Sequence, residues 1–226
     1  MKTTFKLFMF LLVTSAFAVS CGSNVEQAEV SDAQEVAEAD GGTAYAVTDA
    51  SSITWKGEKF SGDAHNGTIK VSGGELTLED GNITAGNFTI DMTTIAVTDD
   101  MPEDKKGYLI GHLAGTTGSD KDADFFQVTK YPTAKFEITE VKPVTKEDAT
   151  HEISGNLTML DKTNKITFDA TVGVEEGTLT ATTAPFAFDR TKWGITFMST
   201  LAGMAKEAAL RNDIIISIDL KANTAE

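Results

Sequence analysis

The chain has 226 residues, among them 13 phenylalanines but only 4 prolines and 1 cysteine, and its formal net charge is −15. That is enough apolar material for one folded domain with dispensable ends. So acidic a surface repels nucleic acid and anionic lipid headgroups, which excludes both as partners of the folded domain, and a lone thiol excludes an internal disulfide.

Residues 1–20 place Lys2 and Lys6 ahead of an apolar run, Leu7 to Val13, followed by the small residues Ser15, Ala16, Ala18 and Ser20. The run is too short to span a bilayer and ends in cleavage-site chemistry, so it reads as a secretory signal peptide. Cys21 sits where the cut would fall. The segment resembles a bacterial lipoprotein signal, which implies that Cys21 takes acyl chains and anchors the protein to a membrane of the cell envelope. Ala18-x-Ser20 also suits an ordinary signal peptidase, which would leave a secreted protein with a free N-terminal thiol. Residues 22–42 carry Glu26, Glu29, Asp32, Glu35, Glu38 and Asp40 with no lysine, arginine or aromatic. Residues 21–42 are therefore expected to form a lipidated, acidic, disordered tether.

The folded domain is expected over residues 43–222. Tyr45 to Thr48 reads as a first strand and Ser52 to Phe60 as a second, with Ile53, Trp55 and Gly57 facing opposite to Thr54, Lys56 and Glu58. Gly62 to Gly67 is expected to turn the chain, with His65 inside the turn. Thr68 to Leu78 reads as a strand bent at Gly73-Gly74, and Asp80-Gly81 as a hairpin turn into Asn82 to Met92. Pro102, Glu103 and Asp104 open a short amphipathic helix that places Tyr108, Leu109, His112 and Leu113 on one face, covering one end of the sheet. The stretch 115–121 ends it.

Asp124 to Phe136 follows as a corner. It opens on the pair Phe125-Phe126, passes a Tyr131-Pro132 step that disfavours helix, and then alternates Ala134, Phe136 and Ile138 against Lys135, Glu137 and Thr139. Strands are expected at Thr133 to Lys142, His151 to Leu160, Lys165 to Val174, Thr178 to Phe188, and Asp213 to Lys221. Short turns separate them, as in an antiparallel meander. Leu201, Met204, Ala205 and Ala208 recur at helical spacing, so a second short helix is expected within Ser199 to Asn212.

Phe125-Phe126-Gln127-Val128-x-x-Tyr131-Pro132-x-Ala134-x-Phe136 resembles the Phe-Phe-Asp-Val-x-x-Tyr-Pro-x-Ala-x-Phe signature of the YceI-like family, with Gln127 where that pattern has Asp. Trp55-x-Gly57 and Gly62-x-x-His65-x-Gly67 extend the likeness, as do Gly155-x-Leu157-Thr158 and Arg190-x-x-Trp193-Gly194. Leu160-Asp161 stands where a His-Gly pair is common. The set runs in order from about Tyr45 to Leu220. The resemblance implies an antiparallel up-and-down lipocalin-like barrel of about eight strands that carries polyisoprenoid chains.

A catalytic reading finds little to stand on. His65, His112 and His151 are scattered, with no metal-type spacing, no Gly-x-Ser-x-Gly elbow, no phosphate loop and no dinucleotide fingerprint. No metal, cofactor or enzymatic activity is expected. Arginine occurs only at positions 190 and 211 among 19 basic residues, which singles out Arg190. Its planar fork suits a ligand headgroup or carboxylate; alternatively it bridges to a neighbouring acid or stacks on Trp193 or Trp55.

The residues and the resemblance together imply a protein that buries an elongated apolar ligand, an isoprenoid or other lipid, inside an all-β barrel. The expected lining is Trp55, Phe88, Ile90, Phe125, Phe126, Phe136, Phe168, Phe186, Phe188, Trp193 and Ile216, with His65 and Arg190 as polar contacts. The competing reading is a β-sandwich interaction module with a filled core, since tunnels and cores draw on the same residues.

Overall fold

A computed structural model describes residues 25–117 and 125–225. The leader, Cys21 and residues 118–124, including the start of the corner at Asp124, lie outside the described residues. The strands are β1 (Glu26–Gln27), β2 (Glu29–Asp32), β3 (Thr43–Val47), β4 (Ser52–Glu58), β5 (Ala64–Glu79) and β6 (Asn82–Val97), followed by helix α1 (Glu103–Ala114). After it come β7 (Thr133–Pro143), β8 (His151–Met159), β9 (Lys162–Glu175), β10 (Thr178–Thr182), β11 (Phe186–Asp189) and β12 (Asp213–Thr224).

From β5 to β10 each strand pairs antiparallel with the next, and β10 pairs with β12. The far edge of β12 takes β4 along Ile215–Asp219 and β3 along Ala222–Thr224, and both of these pair with β5. The ring therefore closes. Counting β3 with β4, and β10 with β11, as two broken staves leaves eight around the barrel. This is the all-β up-and-down barrel expected, and a closed ring is not the two-layer sandwich of the competing reading.

Residues of period two build the wall. In β9 Ile166, Phe168 and Ala170 are buried, while alternate residues reach outward. The bend in β5 falls where expected, as a register shift against β6 between Val71 and Gly73. Asp80 and Gly81, both at positive φ, turn the β5–β6 hairpin. α1 starts after Pro102, carries Glu103 and Asp104 in its first turn, and buries Gly111, Leu113 and Ala114.

Several expectations need correction. His65 lies in β5 opposite Gly57 of β4, because the turn closes earlier, through Lys59 N–H to the Asp63 carbonyl at 2.8 Å. Tyr108 is 62% exposed, with its ring edge-to-face with that of His112 at 4.6 Å. The strand expected from Thr178 to Phe188 breaks between β10 and β11, where Pro185 has no N–H to give a ladder. No α-helix forms between Ser199 and Asn212. A single 3-10 turn, Thr200–Ala202, ends at Gly203 with φ of 83°, and Leu201 is 68% exposed, so the helical spacing there has no surface to bury against.

The largest correction concerns the acidic segment, which from Val25 onward lies on the barrel and is not a disordered tether. Beyond Pro185, β9 and β11 diverge and each shows a free edge. β2 pairs antiparallel with β9 along Asn164–Thr167, and β1 pairs parallel with β11 at Phe186 and Ala187. Ala28 donates its N–H to the Ala187 carbonyl at 2.8 Å and is buried in the core. Further on, buried Asn156 clamps Gln34 from both sides, donating to its carbonyl at 2.7 Å and accepting from its N–H at 3.0 Å. Backbone groups on two unpaired edges order a segment whose side chains alone could not.

Candidate functional site

The end of the barrel under α1 encloses a cavity of about 1160 Å³, counting the space at its mouth. Its wall is almost wholly apolar. Leu109 and Leu113 of α1 and the pair Phe125 and Phe126 roof it, and inward residues of β4 to β9, β11 and β12 line it. The roof is held by the backbone: the Phe126 and Val128 N–H groups donate to the Leu113 and Ala114 carbonyls, at 3.0 and 2.9 Å. Between them Gln127 adopts φ of 46°, and its carbonyl accepts from the Lys130 and Tyr131 N–H groups, which forms the corner.

Of the expected lining, Trp55, Phe88, Ile90, Phe125, Phe126, Phe136, Phe168, Phe188 and Ile216 all face this cavity, and so do His65 and Arg190. Phe186 and Trp193 do not. Phe186 stacks parallel on Phe168 with ring centres 4.7 Å apart, on the side away from the cavity. Trp193 is fully buried, meets Phe188 edge-on at 5.2 Å, and donates its indole N–H to the Leu157 carbonyl at 2.8 Å. It is a packed cork, satisfied in place.

Sequence reasoning missed Leu157, Met159, Ile166 and Ile218, which also line the cavity and whose alternation within their strands was visible. It also missed Glu58 and Arg211. These polar residues, with His65, keep 26%, 46% and 42% of their side chains exposed and mark where the cavity meets water. Glu58 accepts from Lys56 at 2.9 Å and faces Arg211 at 3.4 Å, and the hydrogen bond from Lys56 together with both cations holds its carboxyl below the ordinary value. No local signal in the chain joins Glu58 to Arg211.

Among the described residues Arg190 neither bridges to an acid nor stacks on a tryptophan. Its guanidinium, 2% exposed, donates to three backbone carbonyls: Ile195 at 2.8 Å, Phe197 at 2.9 Å and Arg211 at 3.4 Å. Burial pushes its pKa down from the ordinary arginine value. The fork thus draws the 195–197 loop and the start of β12 together, and sits 5.6 Å from the Phe125 ring. Phe197, on that loop, packs edge-on against Phe125 at 5.1 Å.

A row of rings floors the cavity. Phe88 stacks on Phe136 at 5.1 Å, Phe136 meets Phe168 at 5.6 Å, and Phe168 stacks on Phe186. The Phe136 ring lies over Gly155 of β8, where any side chain would overlap it. Below the row is a second, much smaller apolar cavity, lined by Leu76, Ile83, Ile138 and Ile153, which shares Phe88, Phe136, Phe168 and Ile218 with the first. Among the described residues no group of three or more His, Cys, Asp or Glu side chains is placed to hold a metal ion.

The chain is similar to a UPF0312 protein of Pseudomonas putida, 31% identical over 123 residues, which is 54% of this chain and 57% of that protein. It thus spans little more than half the length of the curated relatives it matches. Among solved structures, BcnA of Burkholderia cenocepacia is similar with a TM-score of 0.57 at 19% identity, covering 78% of this chain and 99% of BcnA. A polyisoprenoid binding domain from Saccharophagus degradans, implicated in plant cell wall breakdown, is similar with a TM-score of 0.53 at 12% identity, covering 81% of this chain and 99% of the domain. At those identities the likeness speaks for the fold alone. The YceI-like domain pattern matches residues 45–222, all of the barrel from β3 to β12 apart from strand ends, and the chain belongs to that family.

Proposed function

We propose that this protein sequesters an elongated apolar ligand, an isoprenoid or other lipid, in the cavity beneath α1, and holds it without making or breaking a bond. The observation that carries the reading is the cavity itself, apolar along its length, with the charged or titratable side chains Glu58, His65, Arg190 and Arg211 in its lining. Such a space gains from any apolar surface it removes from water, at about 25 cal/mol per Å². The Saccharophagus degradans domain of the same fold supports the choice of an isoprenoid.

The protein is further proposed to act in the bacterial envelope as a lipoprotein, acylated at Cys21 after removal of residues 1–20. What supports this is the leader and the position of the lone thiol. Native mass spectrometry of the full chain, expressed with its leader and extracted from bacterial membranes, tests both parts. The expected spectrum shows a chain starting at an acylated Cys21 and releasing a bound lipid on activation. A chain that stays empty even after incubation with farnesol overturns the carrier reading, and an unmodified Cys21 overturns the anchor.

A further inference from the structure

We propose that Trp55 and His65 form a headgroup subsite at the mouth of the cavity, which takes a neutral oxygen, alcohol or carbonyl, at the end of the bound apolar chain. The inference rests on the carrier reading above and names the end of the ligand that the apolar wall does not.

The indole Nε1 of Trp55 is buried and has no hydrogen-bond acceptor among the described residues. Buried donors are paired in nearly all native structures, and leaving one unpaired costs about 1–3 kcal/mol. The other indole of the chain follows the rule, since Trp193 donates to Leu157. The position of Trp55 is enforced by the sheet. It stands opposite Gly67 on β5 and Ile216 on β12, and a side chain at Gly67 would overlap its ring and the Ala96 carbonyl. The ring lies there because Gly67 is bare, and it faces the cavity.

Two residues along the same face, Gly57 of β4 stands opposite His65. Gly57 also lines the cavity, and nothing lies within 4 Å of where its side chain would begin. The strand register therefore leaves open space at Gly57, opposite His65 and on the face that carries Trp55. His65 Nδ1 is 2.7 Å from Asp99 Oδ2, and Asp99 Oδ1 accepts from the Asn66 N–H and side-chain amide, both at 3.0 Å. Burial works to raise the Asp99 pKa, but the hydrogen bonds from Asn66 and His65 together outweigh it and keep the carboxyl ionised. An ionised carboxylate only accepts, so Nδ1 of His65 donates to Asp99, and its Nε2 edge is the one not turned to that carboxylate. A hydroxyl or a carbonyl oxygen can accept from Trp55.

The same surroundings select against an anionic head. One neutral N–H does not replace the hydration of a phosphate or carboxylate. Asp99 adjoins the subsite, and Arg211 is turned to Glu58 and to the Phe60 ring, 5.0 Å away.

The test uses three probes with one chain: farnesene, farnesol and farnesyl phosphate. In ¹⁵N-labelled wild type, farnesol should shift the Trp55 indole N–H resonance downfield and leave that of Trp193 in place, while farnesene should bind without that shift. Trp55→Phe, which keeps a ring but loses the donor, should weaken farnesol about five- to tenfold more than it weakens farnesene. Farnesyl phosphate should bind more weakly than farnesol. Farnesol bound with an unmoved Trp55 resonance, an equal loss for both neutral probes, or a preference for the phosphate each overturns the subsite. If farnesene itself does not bind, the carrier reading fails and the subsite with it, which is a different result from a subsite that fails while the hydrocarbon still enters.

Discussion

Arg190 shows how a buried cation can be held by backbone carbonyls. Three carbonyls on two segments converge on its fork, and only a planar group with divergent N–H bonds reaches all of them. Arg190→Lys should therefore lose at least one of these bonds and cost about 1.5–3 kcal/mol by chemical denaturation. Because Arg190 positions the loop that packs Phe197 on Phe125, its replacement should weaken farnesene and farnesol equally. Loss confined to farnesol would instead make it a headgroup ligand. That Arg190 matters was legible in the scarcity of arginine. Its acceptors were not, since a backbone carbonyl leaves no mark in a sequence.

At the scale of elements, the segment from β1 to β2 acts as a strap across the gap between β9 and β11. Composition marked it as disordered because its own side chains bury little, with Ala28 buried and Val30 only partly so. Composition does not register that two sheet edges elsewhere need partners. Deleting residues 25–37 should expose those edges, and amide exchange in residues 164–167 and 186–187 should speed up by about tenfold or more relative to β6. Exchange that is unchanged would mean the strap contributes nothing to the wall. The split between β10 and β11 belongs to the same account, since Pro185 ends one stave and opens the gap that the strap fills.

The whole barrel is divided by its stacked phenylalanines. The row from Phe88 to Phe186 separates an upper cavity with a mouth from a lower one, and Phe136 at its centre touches both. Phe136→Ala should cost about 3–5 kcal/mol, the usual range for a buried ring. It should also join the two cavities and raise the affinity for squalene relative to farnesene, measured by competition for the same site. A ratio that does not move would show that the lower cavity collapses or stays closed. Gly155 is part of this device, because its missing side chain is the space that the Phe136 ring occupies.

The sequence by itself determined the antiparallel strands and most of the residues that face inward, because the face a strand residue takes is a local property of period two, readable from Ile166, Phe168 and Ala170 or from Ala134, Phe136 and Ile138. It also determined the corner after α1, where aromatics and a Tyr-Pro step act on adjacent residues. Only the tertiary structure decided the rest. Whether Phe186 and Trp193 face a cavity or fill a core depends on rings contributed by other strands. The place of the strap depends on edges more than a hundred residues away in the chain. The unpaired N–H of Trp55 depends on which acceptors the folded wall happens to leave within reach, a pairing of distant groups that no local pattern encodes.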